Sequence, residues 1–191
     1  MRIGLLGGSF NPAHAGHRHV IELASRRLRL DQVWLLVSPG NPLKPQCGMA
    51  PLVLRLASAR RIADGRRVVA SAIEAVFGTR YTIDTLRRLV RRFPRVRFVW
   101  LMGADIMEQL PRWRRWLELV KHTPFAVVPR PGYNRRALAS RTAHRFAYAR
   151  RPARSAPALA EMAARTRIAA RLATSVRTRS TSLLLTSQPC P

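Results

Sequence analysis

The sequence predicts an α/β fold, a Rossmann-like three-layer α/β/α sandwich around a mainly parallel sheet. Three observations lead there. Short apolar runs alternate along the chain with stretches of helical period, the later runs are apolar throughout, and the first run passes directly into a pair of glycines. Strands covered by helices on both faces carry such continuous runs, and right-handed crossovers between them leave a ligand crevice beyond their carboxyl ends, near the point where strand order reverses.

Residues 2–6 read as the first strand, in which Ile3, Leu5 and Leu6 precede Gly7 and Gly8, a pair expected to turn sharply. A helix is expected over 17–28, where Val20, Ile21, Ala24 and Leu28 recur at three- and four-residue spacing. Residues 33–37 (VWLLV) are the second strand, followed by a Pro- and Gly-rich loop over 38–49. Leu52, Leu56, Ala59 and Ala63 mark a second helix, and 67–72 a third strand. Thr82 is expected to cap a helix that buries Ile83, Leu86, Leu89, Val90 and Phe93 and that Pro94 closes. A fourth strand over 96–102, a short helix over 113–120 and a fifth strand over 125–128 follow. A helix is expected over 157–172, and 174–191 show no clear period.

A chain of 191 residues has the size of one domain. Composition divides it into a domain over 1–164 and an atypical basic tail over 165–191, because no acidic residue follows Glu161 and Arg165, Arg167, Arg171, Arg177 and Arg179 alternate with Ala, Ser and Thr. The formal net charge of +26 invites a nucleic-acid reading. Its distribution argues against a dedicated one: only Lys44 and Lys121 are lysines, and arginines such as Arg26, Arg27, Arg60, Arg61, Arg87, Arg88, Arg91 and Arg92 spread over helices. Solvated helix faces with incidental polyanion binding are the simpler expectation. No apolar run approaches the roughly 18 residues of a membrane span, and the first residues lack a secretory leader pattern, so the expected location is the cytoplasm. Cys47 and Cys190 make neither a disulfide framework nor a metal cluster.

The chemistry concentrates in GGSFNPAHAGH, residues 7–17. Gly7 and Gly8 let backbone approach a phosphate, and Ser9 adds a hydroxyl donor. His14 and His17 stand three apart, so their rings can share one side of a first helical turn, where free N–H groups suit a triphosphate and imidazoles can donate to phosphoryl oxygens during transfer. A metal pair is the alternative, with no third ligand near it in sequence. The glycine spacing differs from a dinucleotide fingerprint, and no Gly-Lys-Ser/Thr forms a P-loop. Nucleotidyl transfer fits these residues best.

The same segment resembles the nucleotide-binding signature of the His-x-Gly-His nucleotidyltransferase superfamily, in the form of bacterial nicotinate-nucleotide adenylyltransferases. VSPGNPLK (37–44), YTIDTL (81–86), GADIMEQLPRWRRW (103–116) and VVPRPGY (127–133) resemble further segments of that family, in its order. The resemblance implies adenylyl transfer from ATP to nicotinate mononucleotide, giving nicotinate adenine dinucleotide and pyrophosphate, with Mg²⁺ accompanying ATP. It makes His14 and His17 catalytic, and puts Gly7, Gly8, Ser9, Phe10, Gly16, Lys44, Gly103 and Asp105 at ATP, the last two at the ribose. Tyr81, Thr82, Trp113 and Arg130 fall to the mononucleotide, with Trp113 stacking on the pyridine and Arg130 meeting its phosphate, while Trp116 is expected in the core. No metal ligand among the side chains and no oligomeric state is implied.

The far end departs from the family. Members close with a strand, an Ile-Ser-Ser-Thr-x-x-Arg segment and a last helix; here Ser180 and Thr181 put Leu184 at the arginine position, with no apolar strand before them. A phosphopantetheine-type transferase, or a catalytically impaired nucleotide or nucleic-acid binder, are the competing readings.

Overall fold

A computed structural model describes residues 1–40, 43, 47–130, 132–162 and 172–174. The chain runs β1 (Arg2–Gly8), α1 (Ala15–Leu28), β2 (Gln32–Val37), α2 (Leu52–Arg60), β3 (Val68–Ser71), α3 (Ile73–Val76), α4 (Thr82–Arg92), β4 (Arg97–Gly103), α5 (Trp116–His122), β5 (Phe125–Val128), α6 (Asn134–Ala139), α7 (Arg141–Arg145), β6 (Arg151–Pro152), α8 (Ala156–Met162) and β7 (Leu172–Thr174). The sheet order is β3-β2-β1-β4-β5-β7-β6 and every pairing is parallel, so the fold is the Rossmann-like sandwich that the apolar runs predict. Order reverses between β1 and β4, which opens the crevice at the carboxyl ends of those two strands.

Side-chain alternation sends each strand's residues to two separate cores. Ile3, Leu5, Leu36, Phe98, Trp100 and Phe125 meet Ile83, Leu86 and Leu89 of α4 and Leu119 of α5 on one face. Leu6, Val33, Leu35, Val99 and Leu101 meet Ile21, Ala24 and Leu28 of α1, Ala59 of α2 and Leu159 of α8 on the other. Arg87 of α4 also pairs with Glu118 of α5, fastening the first of these layers from outside.

Several expectations are corrected. Gly7 and Gly8 do not turn: β1 continues through both, paired with Leu36 and Val37. Glycine is needed at position 7 for space, because a Cβ there would lie 2.6 Å from Cη2 of Trp100. The turn comes later, at Phe10, whose φ of 50° lies in the left-handed region and whose ring is buried. Helix α1 starts at Ala15, two residues before the expected start, because His14 caps it. Tyr81, and not Thr82, occupies the N-cap of α4, without a side-chain cap bond. Helix α5 begins at Trp116, since Arg115 has φ of 51° and interrupts the backbone after the 3₁₀ turn Leu110–Arg112. The last described helix spans Ala156–Met162, and the three-residue strand β7 joins the sheet beside β5 within the stretch expected to lack a strand before residue 180.

Gly7→Ala is expected to cost about 1–3 kcal/mol, because Trp100 is buried and has nowhere to retreat. Denaturant unfolding measures this, and full stability in the alanine variant would show that the β1–β4 contact can open.

Candidate active site

The loop between β1 and α1 is shaped by side chains from α2 and the segment before it. The Asn11 amide donates to the Gly48 carbonyl at 2.8 Å and accepts from the Ala50 N–H at 3.3 Å, and the Ala13 N–H donates to Ser58 Oγ at 2.9 Å. Beneath the loop lies Arg55 of α2, 3% exposed. Its guanidinium donates to the carbonyls of Ser9 (3.0 Å), Ser38 (2.6 Å) and Pro39 (3.1 Å), and its Nε to that of Ala50 (2.8 Å). Burial lowers its pKa from the usual arginine value. This residue joins the loops that follow β1 and β2, and the sequence reading passed over it. The signal was present: Arg55 falls on the same helical face as Leu52, Leu56 and Ala59, where a charge must be hydrogen-bonded.

At the amino end of α1 the two histidines cap the helix with each other. The Gly16 N–H donates to Nδ1 of His14 (3.1 Å) and the His14 N–H donates to Nδ1 of His17 (3.2 Å). Their ring centroids are 4.0 Å apart, and the His17 ring packs at 4.7 Å from that of Phe10. Accepting through Nδ1 assigns the hydrogen of each neutral ring to Nε2, so each imidazole has a donor there. Glycine separates them for a steric reason: a Cβ on Gly16 would stand 2.9 Å from Cε1 of His14. No acidic residue occupies the first turn of α1, which leaves its positive end to an anion.

Across the crevice, Gly103 ends β4 and Asp105 follows in the 3₁₀ turn Ala104–Glu108. Asp105 accepts from Arg130 at 2.8 Å. Arg130, expected at the mononucleotide phosphate, is thus tied to the residue expected at the ribose, and its guanidinium also stacks 5.6 Å from the Tyr133 ring centroid. The His14 pKa is lowered from 6.5, first by burial and then by the positive charge of Arg130. His14, Asp105 and Arg130 therefore belong to one electrostatic unit.

Tyr81 and Thr82 stand at the start of α4, and Trp113 is half-buried with its ring edge-on to that of Trp100 at 6.1 Å. Trp116 packs on Phe146 at 5.8 Å, as a core residue does. Arg114, another residue the sequence reading did not single out, lies with its guanidinium carbon 4.7 Å from the Tyr81 ring centroid. No carboxylate pairs with Arg114 among the described residues. Lys44, Ser180, Thr181 and Leu184 lie outside the described residues.

Residues 5–179 match the cytidylyltransferase-like family model. A probable nicotinate-nucleotide adenylyltransferase of Gluconobacter oxydans is 61% identical over 161 residues, covering 84% of this chain and 83% of that protein. Its counterpart in Gluconacetobacter diazotrophicus is 59% identical over 162 residues, covering 85% and 75%. The solved structure of Plasmodium falciparum nicotinic acid mononucleotide adenylyltransferase complexed with NaAD superposes with a TM-score of 0.61 at 18% identity, over 72% of this chain and 70% of that one, a likeness of fold.

Arg55→Leu is expected to destabilise the chain by about 2–4 kcal/mol in urea unfolding, since buried carbonyls lose their donors, and Arg55→Lys should recover only part. For His14, the unfolded chain holds more protons between the lowered folded pKa and 6.5, so this contribution to stability is present above 6.5 and lost as pH falls through the folded value. Arg130→Ala removes one of the two causes and should move the acid limb of the kcat/KM profile to higher pH. An unmoved limb would uncouple Arg130 from His14.

Proposed function

The chain belongs to the cytidylyltransferase-like family and, within it, to the nicotinate-nucleotide adenylyltransferases, and from that premise we propose how its residues divide the reaction. ATP and nicotinate mononucleotide give nicotinate adenine dinucleotide and pyrophosphate, a step of NAD biosynthesis. A phosphate oxygen of the mononucleotide attacks the α-phosphorus, the new P–O bond forms in line, and the bond to pyrophosphate breaks with its electrons on the leaving oxygen. The acceptor phosphate is the nucleophile, so no side chain needs to become covalently attached.

The mutually capping imidazoles of His14 and His17, at the amino end of α1 beside the strand-order reversal, carry this reading. Their Nε2 hydrogens donate to ATP phosphoryl oxygens as charge builds, with the glycine-rich end of β1, Ser9 and Phe10 shaping the floor. Gly103 and Asp105 take the adenosine ribose, which requires the Asp105 carboxylate to exchange Arg130 for hydroxyl donors; Arg130, once released, meets phosphate. Lys44 adds charge from the loop after β2. Mg²⁺ would accompany ATP and supply neutralising charge for the pyrophosphate that leaves.

For the acceptor, Trp113 offers a ring face to the pyridine, and the N–H groups at the start of α4 face the nicotinate carboxylate. Arg114, stacked over Tyr81, puts a cation beside that end of the helix and favours the acid over the amide. No described helix is long and apolar enough to cross a membrane. Arginine-rich faces bind polyanions only incidentally.

Pyrophosphate release should be fastest with ATP and nicotinate mononucleotide, and slower or absent with nicotinamide mononucleotide or 4′-phosphopantetheine. Arg114→Ala should lower kcat/KM for the acid about tenfold and leave the amide nearly unchanged. Absence of product with all three acceptors, together with tight salt-sensitive RNA binding, would overturn the enzyme reading.

A further inference from the structure

Glu74 is the one carboxyl among the described residues that is nearly fully buried, 6% exposed, and the transfer step has no use for it. It sits on α3, just past β3, and its Oε1 accepts from Thr85 Oγ1 of α4 at 3.3 Å. Thr85 is wholly buried, and its Oγ1 also lies 2.8 Å from Thr79 Oγ1 and 3.4 Å from the Tyr81 carbonyl. Thr79 closes back on the same unit, its N–H donating to the Glu74 carbonyl at 2.9 Å. The Thr79 hydroxyl also reaches the Glu74 carbonyl, at 3.4 Å. Burial pushes the Glu74 carboxyl above the usual carboxylate range, and the bond from Thr85 pulls it back.

A carboxyl in such a place is costly unless it is hydrogen-bonded, and it holds hard whatever bonds to it. Thr85 belongs to the first turn of α4, which carries Tyr81 and Thr82. We propose that Glu74 is a positioning residue for the mononucleotide subsite, fastening the first turn of α4 to α3 through Thr85. The proposal rests on the assignment of Tyr81 and Thr82 to the acceptor.

The test separates acceptor binding from stability. Glu74→Leu and Thr85→Val remove the acceptor and the donor in turn, and each should raise KM for nicotinate mononucleotide about tenfold with KM for ATP unchanged. Glu74→Gln, which keeps an acceptor oxygen, and Thr85→Ser, which keeps the hydroxyl, should recover most of the loss. If Glu74→Leu does not fold, Thr85→Val alone decides. Equal increases in both KM values, or a lower melting temperature with neither KM changed, would overturn the positioning role. An active wild type is the control: inactivity toward every acceptor would sink the transferase reading itself, and the positioning role with it.

Discussion

The buried guanidinium of Arg55, held by four backbone carbonyls and, among the described residues, by no carboxylate, is the constraint on which the site depends. A planar fork with five N–H donors can serve all four acceptors from one place, where a lysine has three donors on a single nitrogen. Those acceptors belong to the loop after β1, the loop after β2 and the segment entering α2. All must converge on one point before the phosphate loop has a shape, and the charge stays buried only while they do. The capping of α1 by its own histidines rests on that shape, since Ala13, one residue before the cap, is bonded to Ser58 on the same helix as Arg55.

Continuity of strands and periodicity of helices made the fold legible. β5 coincides with its apolar run, and α4 buries Ile83, Leu86 and Leu89 as expected while Val90 stays exposed and Phe93 is the partly buried cap beyond its end, because a run buried on both sides and a strongly one-sided helix each leave a plain mark in sequence. What misled was glycine. Gly7 reads as a turn, yet it sits in a strand to make room for Trp100, a neighbour 93 residues later that no local pattern reveals. The start of α5 was misplaced for a related reason, since Arg115 adopts a left-handed backbone that its side chain does not announce.

The site was half legible. His14, Gly16 and His17 belong to a contiguous motif, and Asp105 and Trp113 to segments close to family form. Arg55 was visible only as a charge on an apolar face. Glu74 was not visible at all, because its side-chain partner, Thr85, lies on another element and meets it only when the helices settle on the sheet. Arg130 shows a different limit: sequence indicates a cation near phosphate, while its pairing with Asp105 depends on how two loops converge above β4 and β5.

The cap of α1 has a thermodynamic side. With no acidic residue in its first turn and two arginines in its last, this helix is favourably charged at one end and open at the other. An anion that settles there completes the helix as well as occupying the site. Phosphate-bearing ligands should therefore act as folding agents for this chain, with the heat needed to melt it tracking their concentration, and cellular ATP would then govern how much of the protein survives as well as how fast it turns over.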